Sequence, residues 1–289
     1  MAAGREGTPP RPPAYIDGEM RLQIFQVDAF SDRPFAGNPA AVVPLDSWLT
    51  DEVMLAIAAE NNLAETAFFV KNEGGFDLKW FTPTVEMDLC GHATLATGFL
   101  LWKELGYSGD EIKFQTKSGE LRVTREGERF VLDFPARPAD VCEAPAGLAD
   151  ALGGVPVEVR RSRDYLAVFE SEKDVLALDP DFRAIKELGV HAVIVTAPGQ
   201  SSDFVSRFFA PAVGVDEDPV TGSAHCTLIP YWAERLGKND LFARQVSKRG
   251  GELYCELRAD RVKIGGKAAL YMKGEIYLDA AAGGRGVGA

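Results

Sequence analysis

A chain that carries the same pattern twice must build the same local unit twice, and this one repeats over its most reactive-looking residues. Phe81-Thr82-Pro83-Thr84-Val85-Glu86-Met87-Asp88 is echoed by Phe209-Ala210-Pro211-Ala212-Val213-Gly214-Val215-Asp216, which keeps an F-x-P-x-V-x-x-D frame. Gly91-His92-Ala93 through Leu105-Gly106 is matched by Gly222-Ser223-Ala224 through Leu236-Gly237. Ser118-Gly119-Glu120-Leu121 is matched in turn by Gly250-Gly251-Glu252-Leu253. Three matches in order, at a nearly constant offset, predict a duplicated unit of about 130 residues. Two such domains are expected to face a cleft, where small ligands bind.

The bulk properties agree with two domains. At 289 residues the chain reaches the length at which one core stops growing, and its 46% hydrophobic content is ample for two. A net charge of −12, with no basic stripe, argues against nucleic acid or an anionic membrane as partner. No apolar run reaches the roughly 18 residues of a membrane span. Residues 1–19, rich in Gly and Pro, read as a flexible leader without a signal-peptide core, and 280–289 as a flexible tail. Cys90, Cys142, Cys226 and Cys255 are too few and scattered for a disulfide framework. Cys90-Gly91-His92 looks like half a zinc site, but nothing in the sequence supplies the rest, so no metal is expected. A cytoplasmic protein is the expectation.

The periodicity predicts strands at 22–29 and 40–44, a helix over 51–60 with Thr50 as N-cap, and strands at 66–70 and 76–82. The segment from Gly91 to Gly106 is apolar on nearly every face, which places a helix inside a core. Strands follow over 112–134, with a tight turn at Glu126-Gly127. The second half repeats the plan: strands at 165–169 and 192–196, a helix over 182–188, a stretch at 204–209 that leads into the repeat, an apolar helix from Ser223 to Leu236, and strands over 253–278. Pro230 predicts a kink or break in that last helix. The fold class is α+β, each half a set of mostly antiparallel strands around one buried helix. The domains are expected at 20–135 and 136–279.

Each repeat reaches a glycine, Gly91 or Gly222, at the start of its buried helix. Unpaired N–H groups and a partial positive charge make such a start attractive to a carboxylate or phosphate, and glycine lets a ligand approach the backbone. Both glycines could equally just ease the chain into a crowded core; the pairing favours binding. Glu65, in Asn62-Leu63-Ala64-Glu65-Thr66, falls at a helix-to-strand junction where a carboxylate is partly desolvated, which suits acid–base work. His92 and Ser223 occupy matching helix-start positions, and Asp218 lies five residues before Ser223. On spacing alone His92 could be a structural hydrogen-bonder, and the acidic trio 216–218 a turn and cap.

Four motifs then combine: Phe35-Ala36-Gly37-Asn38-Pro39-Ala40, Asn62-Leu63-Ala64-Glu65-Thr66, Cys90-Gly91-His92-Ala93-Thr94, and Glu217-Asp218-Pro219-Val220-Thr221-Gly222-Ser223-Ala224-His225. Together, from about Met20 to Leu278, they resemble the PhzF-like family, named for a phenazine-biosynthesis isomerase. The resemblance implies the diaminopimelate epimerase fold, two pseudo-symmetric domains each with a curved sheet around a central helix, and an active site between them. It implies that Glu65 shuttles a proton and that His92, Asp218 and Ser223 line the substrate site. Asn38, Gly91, Ala93, Gly222 and Ala224 are carried over as substrate-binding positions. It further implies a homodimer, no cofactor, and a small carboxylated metabolite as substrate. The related two-thiol racemases use opposed cysteines, but here those positions are taken by Gly91 and Asp218. A racemase using Cys90, and a non-catalytic small-molecule-binding or interaction protein on the same scaffold, remain as alternatives.

Overall fold

A computed structural model describes residues 14–16 and 19–279. Most of the expected leader, and the expected tail 280–289, lie outside the described residues. Within the leader, however, Ala14–Ile16 forms a strand, β1, paired antiparallel with β2, Glu19–Ala29. The pairing corrects the expectation of a flexible leader at these three residues. The chain divides into two compact units. The first takes the chain up to Phe35, Pro39–Phe130 and the chain from Ala268 on; the second takes Ala36–Asn38 and Val131–Lys267.

After β2 the first half runs β3 (Asn38–Leu45), α1 (Asp51–Asn61), β4 (Glu65–Asn72), β5 (Gly75–Phe81), β6 (Glu86–Met87) and α2 (Gly91–Lys103). It continues with β7 (Glu111–Thr116), β8 (Gly119–Glu126) and β9 (Arg129–Pro135). The second half runs β10 (Asp140–Val141), α3 (Leu148–Leu152), β11 (Glu158–Arg161), β12 (Tyr165–Val168), α4 (Glu172–Ala177), α5 (Phe182–Glu187), β13 (Val193–Pro198) and β14 (Phe204–Phe209). It ends with α6 (Gly222–Leu236), β15 (Asp240–Gln245), β16 (Gly251–Arg258), β17 (Arg261–Gly266) and β18 (Ala268–Asp279).

The duplication is visible in the pairing. In the first half β3–β4 is parallel, β4–β5 antiparallel, β5–β7 parallel and β7–β8 antiparallel. The second half repeats that series in β12–β13, β13–β14, β14–β15 and β15–β16. Parallel neighbours need a crossover, and helices supply each one. α1 links β3 to β4 and α2 links β5 to β7, as α4 with α5 links β12 to β13 and α6 links β14 to β15. Antiparallel pairing predominates elsewhere. β18 differs from the expected domain division: it pairs along β2 from Ala268–Ala29 to Asp279–Glu19 and so belongs to the first unit. Partners so far apart in sequence leave no local signal.

Each central strand is buried on both faces over most of its length, which explains the consecutive apolar residues Ala67–Val70 in β4 and the pairs 204–205 and 208–209 in β14. In β4, Phe68 packs with Met54 and Ile57 of α1, while α2 also packs on this strand. In β14, Val205 joins Val175 of α4 and Ile185 of α5, while Phe204 stacks on Trp232 of α6 at 5.6 Å and 4°. His92 through Leu101 of α2 are all buried, as the all-round apolar pattern requires. Gly98 sits mid-helix despite a cost of ~1 kcal/mol, because a Cβ there would meet Val123 Cγ1 of β8 at 3.1 Å.

The predicted break at Pro230 does not occur: α6 runs unbroken through it. Proline removes the N–H that would bond the carbonyl four residues back. That carbonyl, Cys226 O, instead accepts the backbone N–H of Arg137 at 2.8 Å. Among the described residues no helix is long and apolar enough to cross a membrane.

Candidate active site

The first centre lies at the start of α2. Asn62 takes a left-handed turn (φ 49°) as the C-cap of α1, and three residues later Glu65 opens β4. Asn61 Nδ2 donates to Thr66 Oγ1 at 3.1 Å and ties this junction together. Glu65 thereby presents a side chain only 15% exposed, with Oε2 3.1 Å from Nε2 of His92, itself 6% exposed. The alignment at Glu65 Oε2 falls short of a hydrogen bond despite that distance, so the contact is a close ion-pair approach. The other ring nitrogen, Nδ1, lies 3.6 Å from Cys90 Sγ. Carboxylate and thiol therefore cluster about one imidazole, each near a different ring nitrogen.

Burial pushes the Cys90 thiol up, and the neighbouring Glu65 charge adds to it, so this cysteine stays protonated at neutral pH. Burial acts to lower the His92 imidazole, but Cys90 and Glu65 act the other way and prevail, holding the ring well above its ordinary value. With the thiol neutral, the anion that stabilises an imidazolium here is Glu65.

The second centre lies at the start of α6 and is built from amides and hydroxyls. Asp218 Oδ1 accepts from Asn38 Nδ2 at 2.9 Å, and Oδ2 accepts the Thr221 hydroxyl. Asn38, fully buried, also donates to the Val220 carbonyl at 2.9 Å. Gln245, at the end of β15, donates to the Asp218 carbonyl at 2.8 Å while its Oε1 accepts the Thr221 N–H at 2.9 Å. Ser223 Oγ lies 3.4 Å from an Arg163 guanidinium nitrogen. Arg163 in turn grips the buried Asp164 carboxylate, as does His191 Nδ1 at 2.7 Å. Burial would raise Asp164, but His191 and Arg163 outweigh it and hold the carboxyl below the usual range. The rest of the acidic trio separates from Asp218: Glu217 is locked on Arg207 at 2.7 and 3.0 Å, and Asp216 is exposed.

His92 and Ser223 each hold the second position of their helix, as expected from the repeat. Neither Cys90 nor Thr221, the N-cap residues, caps its helix with its side chain. The outer helices α1, α4 and α5 are capped by Thr50, Ser171 and Asp181. The first-turn N–H groups at Gly91, His92 and Ala93, and at Gly222, Ser223 and Ala224, are thus left uncapped by those side chains, as a helix start that receives an anion requires. Among the sequence candidates, Glu65 and His92 come together in one unit, and Asn38, Asp218 and Ser223 in the other. The sequence reading missed Gln245, Arg163 and Asp164. Thr221 stood inside a quoted motif, but a threonine one residue before a helix gives no sign that it bonds a carboxylate. Cys226 is packed in α6, its thiol pushed up to about 11 by burial.

The sequence profile of the phenazine biosynthesis-like (PhzC-PhzF) family matches residues 27–274. A protein of Pseudomonas aeruginosa named "uncharacterized isomerase" is 56% identical over 259 residues, 90% of this chain and 100% of the relative. The crystal structure of a PhzF-family protein from Enterococcus faecalis, 48% identical, superposes with a TM-score of 0.88 over 90% of this chain and 100% of that one. A hydroxyproline epimerase from Agrobacterium vitis, 12% identical, shares the fold alone at a TM-score of 0.60, over 91% and 94% of the two chains. By profile, relatives and fold, the chain belongs to the phenazine biosynthesis-like (PhzC-PhzF) family and is an enzyme of the isomerase class.

Proposed function

We propose that the chain is a cofactor-independent isomerase that moves a proton between carbons of a small carboxylated substrate, with Glu65 as the acid/base. The observation that supports this most directly is the approach of Glu65 Oε2 to 3.1 Å from His92 Nε2 in nearly complete burial. A carboxylate so placed takes a proton from a carbon made acidic by a neighbouring carboxylate and returns it elsewhere. The buried imidazolium orients it and carries a proton of its own that can be passed on. As the C–H bond breaks, negative charge moves onto the substrate. The uncapped N–H groups at the start of α2 are the donors suited to stabilise it. Asp218 and Ser223 are proposed substrate contacts on the strength of the family motif, and Asn38 and Gln245 hold Asp218 in place. A cytoplasmic homodimer belongs to the same reading.

The test is deuterium uptake from D₂O, followed by mass spectrometry across a panel of small carboxylates and amino acids. Wild type is expected to exchange at least one of them, and Glu65→Gln to lose about 10²- to 10⁴-fold. Wild-type exchange by the Gln variant removes Glu65 from the role. A second reading, a racemase using Cys90, draws on the 3.6 Å approach of its sulfur to His92. A buried thiol held protonated beside a carboxylate is a poor base, so Cys90→Ala is expected to keep its exchange activity; loss of exchange in a folded variant favours the racemase.

A further inference from the structure

The sequence offers Cys90 and His92 as half of a metal-binding set and shows nothing to complete it. The fold brings Glu65 to the same place. Cys90 Sγ, a His92 ring nitrogen and a Glu65 carboxylate oxygen all lie within 4.8 Å of one another, two of the three residues buried and the third largely so. We propose that these three side chains form a binding site for a thiophilic divalent cation of the zinc class, and that its occupancy shuts down proton transfer. The inhibitory half rests on the role proposed for Glu65; the binding half does not.

The donor set is right for such a cation: one thiolate, one imidazole and one carboxylate leave a fourth position open. The spacing also fits. Two ligands on a tetrahedral zinc, with bonds of about 2.3 Å to sulfur and 2.0 Å to nitrogen, stand about 3.6 Å apart. Sγ and Nδ1 are already 3.6 Å apart. The carboxylate oxygen lies within 4.8 Å of the other donors and has to close by on the order of 1 Å to the spacing of about 3.5 Å between two ligands of one zinc, a movement open to a glutamate at the first residue of a strand. The other two partners are two residues apart at the start of α2, Cys90 as the N-cap and His92 in the first turn. On binding, the Cys90 S–H bond and the Nδ1–H bond of the His92 imidazolium break, the sulfur–metal and nitrogen–metal bonds form, and both protons leave to water. A Glu65 oxygen bonded to the cation no longer has its electron pair for a carbon-bound proton.

Cobalt(II) is the probe, because a thiolate ligand announces itself by a charge-transfer absorption in the near ultraviolet. The reduced, chelator-treated full chain is titrated with cobalt(II). A band that saturates at one cobalt per chain, collapses on adding zinc(II), disappears in Cys90→Ser and persists in Cys142→Ser is the expected result. Glu65→Gln serves as a second variant and is expected to weaken cobalt binding on the order of tenfold or more. Absence of a saturable band in wild type overturns the site, as does a band that survives Cys90→Ser or ignores Glu65→Gln. Zinc is then expected to abolish wild-type deuterium exchange at the occupancy at which it displaces cobalt; exchange that persists at full occupancy overturns the inhibition. The cobalt band needs no substrate, so it reads out independently of whether Glu65 moves a proton.

Discussion

The starts of α2 and α6 descend from the same repeat and have been filled with opposite chemistry. At α2 the neighbours are a carboxylate, an imidazole and a thiol, three groups that can gain or lose a proton within reach of one another. At α6 the carboxylate of Asp218 accepts from the Asn38 amide and the Thr221 hydroxyl while the Gln245 amide holds its backbone carbonyl, and none of these three partners titrates. The two buried histidines sharpen the contrast. His92, beside Glu65, is held well above its ordinary value, whereas His225, one turn into α6 and hydrogen-bonded to the Thr221 carbonyl, is driven down by burial to about 4. The scaffold dictates where a helix begins; it does not dictate whether charge can live there. That depends on whether a strand delivers an acid to the spot, as β4 does with Glu65.

The largest expected consequence is functional. If the α2 start moves the proton and the α6 start fixes geometry, Asp218→Asn should cost about tenfold and mainly in KM. The loss from Glu65→Gln should be far larger and fall on kcat. Equal losses in deuterium-exchange kinetics would erase the distinction.

Next in size is the pH dependence of stability. His225 has a folded value below its unfolded one of about 6.5, so the unfolded chain takes up the proton first as pH falls. Its contribution is complete above about pH 6.5 and is lost on the way down through pH 4, a change of ~3 kcal/mol. His92 has a raised folded value and runs the other way: its contribution is complete below about pH 6.5 and fades as pH climbs through that higher value. Urea unfolding across pH should show the acid-side loss flattened in His225→Gln. The chain has only three histidines, so imidazole NMR titrations should separate His92 from His225 directly; a His225 that titrates above pH 6 breaks the comparison.

Asn38→Ala removes a buried amide from both Asp218 and the Val220 carbonyl and should destabilise by about 1–3 kcal/mol, read by thermal unfolding. Pro230→Ala is expected to be the mildest change, within about 1 kcal/mol, because the restored N–H would compete for a carbonyl that already has a donor.

The sequence carried the fold well wherever structure is local. The strand that begins at Tyr165 and the start of α1 behind Thr50 fall where the pattern puts them, and the start of α6 lies within one residue of it. The short helices α3 and α4 went unread because one turn of helix has no period to detect, although Ser171 with Asp174 forms a capping box. β18 was assigned to the wrong half because its partner β2 is at the other end of the chain. The same limit applies to the site. Glu65, His92, Asp218 and Ser223 could be named from motifs, but Gln245 reaches Thr221 across 24 positions, and nothing about an isolated glutamine marks it. Cys90 was visible, yet its relation to His92 and Glu65 depends on where β4 begins.

One rung of α6 is supplied from outside the helix, by the Arg137 amide on the Cys226 carbonyl. Arg137 lies in an irregular stretch between β9 and β10, where amides ordinarily trade their protons with solvent almost freely. This one should instead exchange only when that contact to α6 opens. Its neighbour Ala136 is bonded elsewhere, to the Asp260 carbonyl, so the Arg137 amide alone in this segment would serve as a gauge of the helix itself, reporting its opening free energy from a position 89 residues away.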